Sequence, residues 1–366
     1  MIFFVMLAVV LLANFYVFLR LWQIMPPTTT GRTIMVAIAA IAISSFFLYF
    51  LIGERVPSAV TTCIYKIGTS WFVILLYFLM LFILLDIVRL TRLVPMDFMR
   101  HSWGGLAAII GIVAVIMISG YTVYLNKKRV ELDIVINTMP ATQKPLKIVA
   151  ASDLHLGYGI GAKELTRWIK LINAENPDIV LLTGDIVDSN IRPLEQQGTA
   201  DILRTIRSEY GVFAIPGNHE YISNLASSLK FLEQAEITVL RDSVALVDNA
   251  FYIVGRDDRT NPARRSILEL TLGLDRSKPV ILLDHQPYHL EEAEANGVDI
   301  QLSGHTHRGQ VWPISLITDL LYENSYGFLK KGDTNIYVSS GLGIWGGKFR
   351  IGTRSEYVVI NLSGTR

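Results

Sequence analysis

The chain has 366 residues and a net charge of +1, from 33 Lys+Arg against 32 Asp+Glu, so bulk charge gives no case for nucleic acid as a partner. A single cysteine, Cys63, excludes an intrachain disulfide, and it leaves the rest of the chain without a cysteine-based zinc site or thiol nucleophile. Apolar residues make up 51% and charged residues 18%, and the apolar excess is concentrated before about residue 126, which divides the chain in two.

Residues 1–126 hold four apolar runs, at about 2–22, 33–52, 70–88 and 104–125. A run near 20 residues spans about 30 Å as a helix, the thickness of the hydrocarbon layer. Pro26-Pro27, Pro57 and Pro95 separate the runs, as expected of residues that end helices. The first run has no basic residue ahead of it and no small-residue cleavage site, which argues against a cleaved signal peptide. None of the four has a polar face, which argues against a buried soluble bundle. The expectation is a multi-pass integral membrane region of four helices. Asn14 and Asp86 are its polar exceptions, and Asp86 reads as interfacial because it lies near a helix end. Basic residues flanking the spans divide evenly: Arg55, Lys66, Lys127, Lys128 and Arg129 against Arg20, Arg32, Arg89, Arg92 and Arg100. They therefore assign no side to the C-terminal domain.

Residues 127–146 read as a linker and first strand, with Val130–Ile136 extended, and 147–366 as a catalytic domain. Strand-like runs at 147–151, 179–183, 211–216, 279–283 and 300–302 alternate with helical patterns at 162–176, 199–209 and 224–235. Such alternation predicts an α/β sheet with helices on its faces, and a site in the loops beyond the strand ends. Trp312–Leu321 and Ile344–Trp345 read as core, with a lipid-facing rim as the alternative.

The chemistry gathers at those strand ends. Ile179–Thr183 leads into Gly184-Asp185, and similar runs lead into Asp153-Leu154-His155, Gly217-Asn218-His219-Glu220, His285-Gln286-Pro287 and Gly304-His305-Thr306-His307. Five of the seven histidines fall in these stretches; His101 and His289 lie outside the pattern. Neutral imidazole and carboxylate are the ligands of Zn, Fe or Mn, and two ions about 3.5–4 Å apart require a shared oxygen ligand. The expected assignment places Asp153, His155 and His307 on one divalent ion and Asn218, His285 and His305 on the other. Asp185 bridges them. Two such ions would lower the pKa of a bridging water and clamp a phosphoryl group. His219, beside Asn218, is the expected general acid. A His-x-His on an extended segment points its rings to opposite sides, so a turn at Gly304 is expected to reorient His305 and His307. Any one of these pieces would more often be loop decoration; five in order at successive strand ends are not.

These five blocks resemble the signature motifs of the calcineurin-like metallophosphoesterases, across about 147–362. The resemblance implies a four-layer α/β/β/α sandwich, a dinuclear centre of Mn, Fe or Zn, and hydrolysis of a phosphoester. Gly304–Gln310 and the tail from Gly341 to Glu356 are similar to the bacterial branch called YkuE-like or YaeI-like, which implies a bacterial cell membrane as the location. The four spans resemble the group of transmembrane proteins with a metallophosphoesterase domain. Arg308 stands where that branch more often has glycine. It is a candidate substrate-phosphate ligand, or else a surface residue. Membrane-attached members imply membrane lipid and a phosphorylated, lipid-linked substrate as partners. The competing expectations are a metal-binding sensory module without catalysis, and a transporter carrying a regulatory hydrolase domain.

Overall fold

A computed structural model describes residues 2–91, 100–140 and 144–365, so Arg92 and Pro95 lie outside the described residues. The chain forms two compact units, Met1–Thr122 with Gly346–Phe349, and Val123–Trp345 with Arg350–Arg366.

The first unit is built on α1 (Ile2–Ile24), α2 (Thr29–Ile52), α3 (Ser58–Thr91) and α4 (Trp103–Leu125), all long and apolar enough to cross a membrane. α3 has 34 residues and begins at Ser58, well before the third expected span. The polar side chains of its first turns are satisfied by backbone carbonyls. The Thr61 hydroxyl donates to the Gly53 carbonyl at 2.6 Å and that of Thr69 to the Tyr65 carbonyl at 2.7 Å. Pro57 precedes the first turn, where a missing N–H costs nothing. The polar exceptions are also partnered. Trp71 Nε1 donates to Asn14 Oδ1 at 2.9 Å, while Asp86 is ion-paired with Arg20 and accepts the Tyr16 hydroxyl at 2.6 Å.

The second unit opens with β1 (Lys128–Pro140), β2 (Leu146–Ala151), α5 (Ala162–Ala174), β3 (Ile179–Leu182), α6 (Arg192–Gln196), α7 (Thr199–Leu203) and β4 (Val212–Ala214). It continues with α8 (Asn218–Ile222), α9 (Leu225–Gln234), β5 (Thr238–Val239), β6 (Ser243–Val247), β7 (Phe251–Gly255), α10 (Ile267–Thr271) and β8 (Val280–Leu283). It closes with α11 (Glu291–Ala295), β9 (Ile300–Ser303), α12 (Ile314–Leu321), β10 (Gly327–Lys331), β11 (Thr334–Val338) and β12 (Glu356–Thr365).

Two six-stranded sheets result, ordered β1-β12-β2-β3-β4-β5 and β10-β11-β9-β8-β7-β6. In the first, β2 to β5 are parallel and β12 runs antiparallel to β2; in the second, β7, β8, β9 and β11 are parallel. Side-chain alternation explains the layering. Ile148, Ile179, Leu181, Ile281, Leu283 and Leu302 point into one core shared by the two sheets. Their neighbours Val149, Val180 and Leu182 face α5, α7 and α9, and Val280 and Leu282 face α10 and α11. These strands are apolar on both faces because both are covered, and each buried Leu or Ile contributes about 1.5–3 kcal/mol. The order helix, sheet, sheet, helix is the four-layer α/β/β/α sandwich.

Two local expectations are corrected. The helix expected over Thr199–Glu209 ends at Leu203, because Asn173 captures the backbone beyond it: its amide donates to the Thr205 carbonyl and its oxygen accepts the Arg207 N–H, both at 2.8 Å. Trp312–Leu321 is not core. In α12 the residues turned inward are Ser315 and Thr318, and its leucines and isoleucines are exposed.

Candidate metal centre

Each site residue stands at the C-terminal end of a strand, as in other sheets of this kind. Asp153 and His155 follow β2, Asp185 follows β3, Asn218 and His219 follow β4, His285 follows β8, and His305 and His307 follow β9. Parallel neighbours in register bring these ends together.

The donor atoms converge in three overlapping groups, Asp153–His155–His307, Asp185–His285–His305 and His155–Asp185–His219. In the first, His155 Nε2 lies 2.9 Å from His307 Nε2, and His307 Nε2 lies 3.5 Å from Asp153 Oδ1. In the second, His285 Nε2 lies 3.1 Å from Asp185 Oδ2, and His305 Nδ1 lies 2.8 Å from Asn218 Oδ1. Asp185 Oδ2 is also 3.8 Å from His155 Nε2, so this carboxylate faces the first two groups. All seven expected ligands are therefore brought together. Arg308 is not among the converging donors: its guanidinium lies 5.1 Å from the Tyr326 ring centre and 3.9 Å from Asp319.

The donor set fits divalent cations. His285 Nδ1 lies 2.7 Å from the Thr183 carbonyl, an acceptor that fixes the proton on Nδ1 and leaves Nε2 as a lone pair. That Nε2 is buried without a hydrogen bond and faces a carboxylate oxygen. Two facing acceptors repel unless a cation or a proton lies between them. Without metal, the site answers by protonation. Burial pushes the His285 pKa down, but the negative charge of Asp185, 3.1 Å away, prevails and raises it well above the usual histidine range. Burial, then repulsion from His285, lowers His305 to about 4, and burial with His155 and Arg350 lowers His307 as well. Neutral imidazoles are the form that binds metal.

The ligands are held in uncommon backbone. Asp153, His155, Asp185, His305 and His307 all have φ between 47° and 68°, the left-handed region that costs non-glycine residues energy and clusters at functional sites. In the His305-Thr306-His307 stretch this conformation, at both histidines, turns the two rings to one side. The expected turn begins at Gly304, whose carbonyl accepts the Thr306 N–H at 2.8 Å. Gly304 also makes room, since a Cβ there would collide with Ser152 Oγ and Asp153 Oδ2.

Three residues carry the support that sequence reasoning did not assign. Glu220, fully buried in α8, accepts the backbone N–H groups of Asp185, Ile186, Val187 and Gly217 at 2.7–3.0 Å. It thereby pins the Asp185 loop to the Asn218 loop. Asp188 Oδ1 lies 3.4 Å from His155 Nδ1 and 3.2 Å from His219 Nδ1, a carboxylate behind two imidazoles. Arg350, wholly buried, donates to the carbonyls of His307, Ser340 and Gly343 at 2.6–3.0 Å. Glu220 and Asp188 lie within three residues of expected ligands, and that spacing was the available signal; Arg350 carried none.

His219 stands at the edge of the centre. Its backbone N–H donates to Asp185 Oδ1 and its Nδ1–H to the Asp188 carbonyl, at 2.8 and 2.9 Å, so Nε2 is the nitrogen left for proton transfer. Burial lowers its pKa, but the Asp188 hydrogen bond and the charges of Asp185 and Asp188 outweigh this and bring it to about 9.

Comparison with known proteins gives one consistent result. A family profile described as calcineurin-like phosphoesterase matches residues 146–309. A Helicobacter pylori relative named an uncharacterized metallophosphoesterase is 33% identical over 228 residues, 60% of each chain. The Bacillus subtilis protein named uncharacterized metallophosphoesterase YkuE is 31% identical over 284 residues, covering 74% of this chain and 97% of that one. A zebrafish protein named transmembrane protein with metallophosphoesterase domain is 28% identical over 358 residues, covering 92% and 81%. The chain spans about three fifths of the length of the Helicobacter and Campylobacter relatives it matches.

Proposed function

Because the chain belongs to the calcineurin-like metallophosphoesterases, we propose that it is a membrane-anchored hydrolase of phosphoester or pyrophosphate bonds that uses two divalent ions. The observation that carries this reading is the convergence of Asp153, His155, His285, His305 and His307 around one carboxylate, Asp185, with Asn218 Oδ1 2.8 Å from His305 Nδ1. Asp153, His155 and His307 would hold one ion, and Asn218, His285 and His305 the other, with Asp185 shared. Mn, Fe and Zn all suit this mixed oxygen and imidazole set. When bound, the ions would supply Lewis acidity toward phosphoryl oxygens and a water of lowered pKa.

The chain's own residues do the rest. Asp188 and the Asp185 carboxylate favour the imidazolium form of His219, which keeps Nε2–H available to protonate a leaving oxygen. Glu220 and Arg350 hold the ligand loops, so that the donors need not be ordered when substrate arrives. The anchor supports a lipid-linked phosphodiester, pyrophosphate or phosphomonoester as substrate. The near-zero net charge supports no role in nucleic-acid binding.

His219→Ala tests the assignment of the acid. Turnover is expected to fall by about 10²–10⁴-fold, as for loss of a general acid, while bound metal, measured by elemental analysis, stays at the wild-type ratio. Undiminished turnover would remove His219 from the chemistry. In the metal-free protein, nuclear magnetic resonance should place the His219 titration near pH 9, with the imidazolium present below that pH and lost above it. Metal loading should lower the midpoint, since nearby cations disfavour a third positive group.

A further inference from the structure

The helix that follows the His307 loop is built inside out. α12 turns Ser315 and Thr318 inward and leaves Leu316, Ile317, Leu320 and Leu321 in solvent, with Leu320 87% and Leu321 68% exposed. Trp312, just ahead of it, is 46% exposed. A helix that buries its polar face and exposes its apolar one is not stabilised by water.

α12 is also fastened to the metal centre. The backbone at Gly309, two residues past His307, is so close that an added Cβ would lie 2.6 Å from the Ile314 carbonyl carbon, Ser315 N and Thr318 Oγ1. The Thr306 hydroxyl donates to the Ser325 carbonyl at 2.6 Å, beyond the far end of α12, and Trp312 N–H donates to the Ile351 carbonyl at 2.7 Å. The exposed face and the ligands His305 and His307 are thus parts of one rigid segment.

We propose that the apolar face of α12 inserts into the lipid surface of the membrane that holds this chain, and so presents the metal centre to phosphate groups of lipid-borne substrates. The partner is identified by reach as well as by chemistry. Only Asn126 and Lys127 separate the last residue of α4 from the first of β1, so the domain cannot leave the bilayer that the apolar helices require. Lipid is an apolar phase always within that tether. Insertion of an amphipathic helix needs an apolar face and a polar one; here Ser315 and Thr318 pack on the domain itself and Asp319, 40% exposed, flanks the apolar face. The lipid-borne substrate rests on the hydrolase reading above. Insertion does not.

The test uses the full chain carrying Cys63→Ser, with one cysteine introduced at Leu320 or, as control, at Leu272, which is 77% exposed beside α10. Each is labelled with an environment-sensitive fluorophore and reconstituted in vesicles of phosphatidylcholine and phosphatidylglycerol, with or without doxyl-labelled lipid. The Leu320 label should lose about half or more of its emission to the doxyl lipid, as expected for a face sunk into the headgroup boundary, and the Leu272 label far less. Equal quenching at the two positions, or a disulfide joining the Leu320→Cys positions of two chains, would overturn the proposal. The second result would assign the face to another copy. A Leu316→Glu, Leu320→Glu protein should lose about tenfold in turnover of a phosphorylated lipid in vesicles and keep its turnover of a soluble chromogenic phosphoester, because charges on the face oppose insertion alone. Equal effects on both substrates would also count against it. Quenching is read without turnover, so failure of the hydrolase reading and failure of insertion give different results.

Discussion

Asp185→Asn is expected to reduce turnover by about 10³-fold or more, the order that follows from losing several kcal/mol of charge stabilisation at a two-metal site. The change is nearly isosteric. An amide at this position still offers an oxygen to the His219 N–H, now accepted by Asp185 Oδ1 at 2.8 Å. It offers no second anionic oxygen toward His285 Nε2 and His155 Nε2, at 3.1 and 3.8 Å from Oδ2. Bound metal should therefore fall below the wild-type ratio while circular dichroism stays unchanged. The contrast with His219→Ala is the informative part: one variant loses ions with activity, and the other loses activity alone. An Asp185→Asn protein with full metal content and full turnover would exclude a shared carboxylate.

The second large effect concerns a residue that acts through backbone N–H groups. Glu220→Ala leaves four buried N–H donors without their acceptor, those of Asp185, Ile186, Val187 and Gly217. Each such donor costs about 1–3 kcal/mol. The four share one partner, so their costs do not simply add, and a loss of about 4 kcal/mol is expected. Glu220→Gln should fall between the two proteins, because it keeps one acceptor oxygen and turns an NH₂ group toward the other N–H groups. Denaturant unfolding of the metal-free proteins measures both. Stabilities within about 0.5 kcal/mol of wild type in both variants would show that water or a rearranged loop satisfies these donors, and that Glu220 does not hold the site.

The ligand residues were legible in the sequence for two physical reasons. Histidine is scarce here, so five in ordered stretches are conspicuous, and each follows a run such as Ile179–Leu182 whose apolar residues serve both faces of a covered strand. The sandwich was less legible than its sheets: which strand faces which core is decided by pairing between distant segments, such as β12 with β2. The supporting groups escaped for the same reason. Arg350 lies 43 residues past His307 and meets its carbonyl only through the fold. The role of Glu220 depends on backbone N–H groups, which no residue type advertises. In α12 the apolar residues were visible in the sequence, but composition does not say which way they face. The close backbone at Gly309 takes the small side chains Ser315 and Thr318 and turns the leucines out.

The most direct test of the account is phosphoester hydrolysis by the purified full-length protein, stripped of metal and then supplied with Mn²⁺, using a soluble phosphodiester and a soluble phosphomonoester. The account predicts no turnover in the stripped protein and restored turnover of at least one substrate with metal, rising with occupancy toward two ions per chain. Folded protein that binds two ions and hydrolyses neither soluble substrate nor a phosphorylated lipid in vesicles would contradict it, and would leave the metal centre as a binding module.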